Sequence, residues 1–97
     1  MKKYESMRLF FKIFFGQDAE VWGETYQEII DAYVVFQDGV DQQLIVEVDD
    51  FLACYPDNSS AKPALEKFCG GMSYLRPSPV EFLIWLSAYL KQKREAQ

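Results

Sequence analysis

The sequence predicts an all-α protein, a single-domain bundle of about five helices over residues 1–97. Three observations carry that prediction. Apolar residues recur at spacings of three and four in every long segment. Local start signals for helices precede those segments, including Thr25-Tyr26-Gln27-Glu28 and Ser78-Pro79-Val80-Glu81. Breakers fall between them, at Gly16, Gly39, Pro56 and Gly70-Gly71, and no internal repeat or low-complexity stretch intervenes.

The first helix is expected over residues 5–15. Met7, Phe10, Phe11, Phe14 and Phe15 make one apolar face there, Arg8 and Lys12 share another, and Gly16 suits the left-handed stop. A short loop through Gln17, Asp18 and Trp22 leads to Gly23. The second helix opens on the Thr25/Glu28 capping box and runs to about Phe36, with Tyr26, Ile29, Ile30, Tyr33 and Val34 on its apolar face. Glu24, Glu28, Asp31 and Asp38 align on another face. The first two suit the positive end of the helix dipole, whereas Asp31 and Asp38 have no such local reason.

Gly39 is expected to stop that helix and Asp41 to start the third, with Val40 and Ile45 forming a hydrophobic staple across the cap. Leu44, Ile45, Val48, Phe51, Leu52 and Tyr55 continue the helical period. The β-branched content of residues 44–48 alone would suit a strand, but the longer spacing favours helix until Pro56 closes it. Ser60, with Pro63 in the first turn, is expected to open a short fourth helix over Leu65, Phe68 and Cys69, ended by Gly70-Gly71. Residues 72–77 read as an extended connection. The last helix has Pro79 at its first position and Phe82, Leu83, Leu86, Tyr89 and Leu90 on its face. Trp85 lies off that stripe, which suggests burial on more than one side.

Composition limits the chemistry. A chain of 97 residues has room for one core, burying roughly 60–65 % of its unfolded surface, and little left for an elaborate active site. Eight Phe, six Tyr and two Trp predict an aromatic-rich core. Cys54 and Cys69 read as buried free thiols of a cytoplasmic protein. Arg8 and Lys12 interrupt the apolar run that follows Lys2-Lys3, Glu5 sits where a signal peptide would be positive, and no stretch nears the ~20 apolar residues of a membrane span.

With no His, no Gly-rich phosphate loop and no paired-Cys spacing, the inventory for catalysis, a metal or a cofactor is lacking, and no enzyme activity is expected. Asp49-Asp50 are helix neighbours about 100° apart that do not converge on one substrate. Asp38, Asp41 and Asp57 lack the ligand spacing of a calcium loop.

What remains is charge. Between Lys12 and Lys62 there is no base at all, while Asp18, Glu20, Glu24, Glu28, Asp31, Asp38, Asp41, Glu47, Asp49, Asp50 and Asp57 fall inside that gap. The flanks are basic, so the net charge of -5 conceals a strong internal asymmetry. Such a region attracts a basic macromolecule and repels nucleic acid, and its plainer use is to keep a small protein soluble. Glu24, Glu28, Asp31, Asp38, Glu47 and Asp50 are therefore the candidate partner-binding residues, with Trp22 and Tyr74 as loop anchors. This requires that those carboxylates be gathered on one surface and not be locked into ion pairs with the flanking lysines and arginines.

The order of features resembles the small helical immunity proteins of bacterial contact-dependent growth inhibition systems. Tyr4, Leu9-Phe10 and Phe14-Phe15-Gly16-Gln17-Asp18 are similar to the opening pattern of that family. The likeness continues through the helix at 25–34, the acidic-apolar stretch at 47–52, and Gly70-Gly71-Met72-Ser73-Tyr74-Leu75-Arg76-Pro77 followed by Glu81-Phe82-Leu83, Trp85 and Leu86. Gly16, Ala19 and Glu5 depart from it, standing where His, Trp and Pro are usual.

The resemblance implies a cytoplasmic protein, monomeric when free, that binds and blocks the C-terminal domain of a toxin delivered from a cell surface. Many such toxins are nucleases, whose basic phosphate-binding sites an acidic inhibitor can occupy as an electrostatic mimic. The alternative from the residues alone is an acidic helical adaptor or regulatory module, homodimeric through Trp22 or the last helix.

Overall fold

The computed structural model describes residues 4–15, 23–69 and 78–96. Five helices are found among them: α1 (Glu5–Phe14), α2 (Tyr26–Gln37), α3 (Gln42–Cys54), α4 (Asn58–Cys69) and α5 (Pro79–Glu95). The protein is all-α, and the run at 44–48 that could have been a strand lies inside α3. The expected stops at Gly16 and Gly70-Gly71 and the connection at 72–77 lie outside the described residues.

Helix α3 packs against both α1 and α5, and α4 crosses the same two helices. Helix α2 is fastened by rings. Tyr33 stands edge-on to Phe10 and Phe14, with centroids 5.0 and 5.4 Å apart, and Tyr26 meets Phe82 at 4.8 Å. The core is as aromatic as the composition predicts, with Tyr4, Phe10, Phe11, Phe14, Phe15, Tyr33, Phe51 and Phe82 all buried. Edge-to-face pairs of this kind contribute about 0.5–1.5 kcal/mol each beyond the area they bury.

The helix starts follow local chemistry. In α2 both arms of the capping box are made. The Glu28 N–H donates to Thr25 Oγ1 at 3.1 Å, and Glu28 Oε1 accepts from the Thr25 N–H at 3.1 Å and the Glu24 N–H at 2.9 Å. Asp41 caps α3 by accepting from the Gln43 N–H at 3.0 Å, and Val40 packs partly buried against the core that holds Ile45. Ser78 caps α5, accepting from the Glu81 N–H at 3.3 Å with Pro79 at the first position. Trp85 is half-buried and stacks on Tyr89 at 5.1 Å, while Val80, Phe82, Leu83, Leu86, Ser87 and Leu90 are buried around the helix. The last helix is therefore covered over a wide arc, as the position of Trp85 suggested.

Three local expectations are corrected. Helix α4 starts at Asn58 rather than Ser60. The Asp57 carboxylate accepts from the Ser60 N–H at 2.9 Å, the Asp57 carbonyl takes the Ala61 N–H at 2.9 Å, and the Ser60 hydroxyl turns back onto Asp57. Pro63 is thereby in the second turn, where its missing N–H removes a helical bond. At the end of α2 the left-handed residue is Asp38 (φ 56°), with Gly39 following at φ 134°. Asp is one of the few side chains that adopts this conformation readily. Cys54 is a free but exposed thiol, because it lies one turn after Asp50 on the polar flank of α3.

Candidate functional site

The six candidate carboxylates do not form one sheet of charge. Glu24 and Asp38 bracket the twelve-residue α2 at opposite ends, roughly 18 Å of helix apart, and both are exposed. Glu28 is exposed too, but Oε1 of its carboxylate is occupied by the capping box.

Asp31, midway along α2, is tied to α5. It accepts from the Tyr89 hydroxyl at 2.7 Å and pairs with Lys93 Nζ at 3.0 Å. Partial burial works to raise its pKa, but the bonds from Tyr89 and Lys93 and the Lys93 charge outweigh that, and the carboxyl sits below its ordinary range. On α3, Asp49 is held the same way. Burial opposes ionisation, yet the Ser87 hydroxyl, Lys91 Nζ at 2.9 Å and the charge of Arg94 bring its pKa down. The basic end of α5 thus returns to the acidic middle of the chain and neutralises part of it. Arg94 adds a bond from Nη1 to Gln42 Oε1 at 2.8 Å.

Glu47 and Asp50 serve α1. Glu47 is only 8 % exposed; one carboxylate oxygen accepts the Met7 N–H at 3.0 Å and the other accepts from Gln43 Nε2 at 3.1 Å. Helix α1 needs that acceptor, since its own N-terminal residue, Tyr4, sits in the left-handed region (φ 60°) and provides no side-chain cap. Asp50, exposed, accepts from the buried Tyr4 hydroxyl at 2.7 Å. Burial first, and then the bond to Asp50, push the Tyr4 hydroxyl well above its ordinary pKa. Trp22 and Tyr74 lie outside the described residues.

One feature was not singled out from the sequence. A cavity of about 120 Å³ opens between α1, α2 and α3, lined by Leu9, Phe10, Ile13 and Phe14 of α1, Tyr33 and Gln37 of α2, and Asp41 and Leu44. Its signal was present in the sequence. Leu9 and Ile13 are apolar, four residues apart and off the buried stripe of α1, and each is 43 % exposed. A second, polar hollow over residues 37–41 adjoins it, sharing Gln37 and Asp41.

Among the described residues no group of acidic and cysteine side chains is placed to hold a metal ion, and no helix is long and apolar enough to cross a membrane. Comparison with curated proteins and with solved structures returns no match. The family model for the CdiI immunity protein matches residues 3–92, which is nearly the whole chain. The match takes in every helix of the bundle up to the last turn of α5, and the chain belongs to the CdiI immunity protein family.

Proposed function

We propose that this immunity protein disarms a nuclease toxin domain in the cytoplasm by covering its basic, phosphate-binding active site, acting as a monomer until it meets that domain. Family membership carries the toxin as partner. The observation that supports an electrostatic mode is the net charge of -5, which internal ion pairs leave unchanged. The interface draws on carboxylates that the fold leaves exposed, namely Glu24, Asp38 and Asp50. Asp31, Glu28 and Glu47 act on it indirectly, by fixing the helices that present the others. Trp22 and Tyr74 are proposed as apolar anchors from residue type.

The experiment is co-expression. The C-terminal toxin domain of the cognate effector is induced with and without this protein, and growth and nucleic-acid integrity are followed. Protection with intact nucleic acid is the expected result. Protection of cells from a domain that leaves nucleic acid intact on its own would remove the nuclease assignment. A complex whose Kd does not weaken between 50 and 500 mM salt, on the order of the range over which Debye screening becomes short, would remove the charge mechanism.

A further inference from the structure

We infer that the cavity between α1, α2 and α3 is the seat of one apolar side chain of the toxin domain, and that Asp41 at its rim, with Asp38 in the polar hollow that adjoins it, holds a lysine or arginine beside that side chain. The inference rests on the toxin-binding function proposed above and deepens it by assigning a place and a chemistry.

Size comes first. An apolar cavity of about 150 Å³ accommodates a benzene-sized group, so the 120 Å³ found here suits a single aliphatic or aromatic side chain. The floor is rigid, because Phe10, Phe14, Tyr33 and Leu44 are buried and the rings of Tyr33, Phe10 and Phe14 lock edge to face. Leu9 stands at the edge with two-fifths of its surface still open, so an incoming side chain gains by covering it.

Charge complementarity selects the neighbour of that side chain. Among the described residues no lysine or arginine nitrogen lies within 4.0 Å of Asp38 or Asp41. The three bases at the end of α5 are engaged elsewhere. Lys91 is on Asp49, Lys93 on Asp31 and Arg94 on Gln42, and Gln42 shares the α5 flank of α3 with Asp49, away from Leu44. Neither Arg8 nor Lys12 of α1 lines the cavity.

The rim is also fixed before any partner arrives. The Asp41 N–H donates to the Tyr33 hydroxyl at 3.1 Å, and one Asp41 carboxylate oxygen accepts from the Gln43 N–H. Asp38 is held at its left-handed position by its N–H bonds to the Val34 and Val35 carbonyls. A floor of locked aromatic rings beside a preorganised acidic rim is the anatomy of an interface hot spot.

The test uses the full chain and a catalytically inactivated C-terminal toxin domain of the cognate effector, with Kd and association rate measured by surface plasmon resonance. Asp38→Asn with Asp41→Asn removes both rim charges while keeping a side chain that caps a helix and tolerates the left-handed backbone. Leu9→Arg puts a bulky charged side chain at the edge of the apolar seat, where the partner's side chain would have to cover it. Glu66→Gln with Glu95→Gln is the charge-matched control on exposed positions of α4 and α5. Circular dichroism melts verify that each variant folds.

Both cavity variants are expected to weaken Kd by about tenfold or more, with the control within about twofold. If the unaltered chain binds and both cavity variants bind equally well, the cavity is not the seat, and the toxin-binding function stands. If the unaltered chain does not bind that domain at all, the function falls and the seat with it.

Discussion

Glu47 is a carboxylate that the sequence presents as one more acid in a row of eleven, and the fold uses it as the missing cap of a helix forty residues away. Replacing it by Ala leaves the buried Met7 N–H without an acceptor, a loss of about 1–3 kcal/mol, and opens space beside Gln43. Glu47→Gln keeps an oxygen for Met7 and gives up the charge at the helix end, about 0.3–1 kcal/mol, together with the partly exposed bond from Gln43 Nε2, which a turn of the Gln43 amide can restore. Urea unfolding should rank the two in that order, and equal losses would show that charge rather than the hydrogen bond matters. Gly23 is a second single-residue constraint. A Cβ there would stand 2.5 Å from Glu28 Cβ and 3.0 Å from the Glu28 backbone carbon, so Gly23→Ala should destabilise the start of α2 by about 1–3 kcal/mol in the same assay. Neither role was legible beforehand, and the reason is physical. Capping boxes are local, so Thr25 and Glu28 announce themselves, whereas the partners of Glu47, Asp31 and Asp50 are set by which helices pack together.

Elements were legible where their ends are written locally. The starts of α2, α3 and α5 fell where Thr25, Asp41 and Ser78 placed them, whereas α4 starts earlier than Ser60 because Asp57, three residues before it, accepts the Ser60 N–H and draws the Ser60 hydroxyl back onto itself. What no element reveals alone is how α5 is latched. Its last turns reach Asp31 on α2 and Asp49 on α3 through Lys93 and Lys91, with Tyr89 and Ser87 adding hydroxyl donors one turn earlier. Both aspartates have pKa values lowered by folding, so in acid the unfolded chain binds more protons than the folded one. The stability they contribute is complete above the ordinary value of 3.8 and drains away as pH falls through the lowered values. The pairs are nearly half exposed, which keeps the effect modest and salt-sensitive. Asp31→Asn with Asp49→Asn should therefore lower the urea midpoint at pH 7 and leave it less sensitive to acid between about pH 5 and pH 2. An unchanged slope would mean that other carboxyls govern acid unfolding.

At the scale of the whole molecule, the bundle and its aromatic core were readable from periodicity, because burial repeats with the helix and the helix repeats in the chain. The charge map was readable only in part. A stretch without bases in the sequence is not a surface without bases, since α5 carries Lys91, Lys93 and Arg94 back across α2 and α3. Those lysines subtract from the field that a basic toxin domain meets, and this yields a prediction of unusual sign. Lys91→Gln with Lys93→Gln removes two positive charges and takes the net charge from -5 to -7. The double variant should be less stable, because Asp31 and Asp49 lose their partners. Yet it should associate with the toxin domain faster, by about two- to fivefold near 20 mM salt, since steering follows the net field more than any one contact. The advantage should vanish near 500 mM, where screening confines charge to a few ångströms. Stopped-flow association rates across that range decide the matter. A variant no faster than the unaltered chain at low salt would mean that encounter is governed by the local rim at Asp38 and Asp41 and not by the molecule's overall charge.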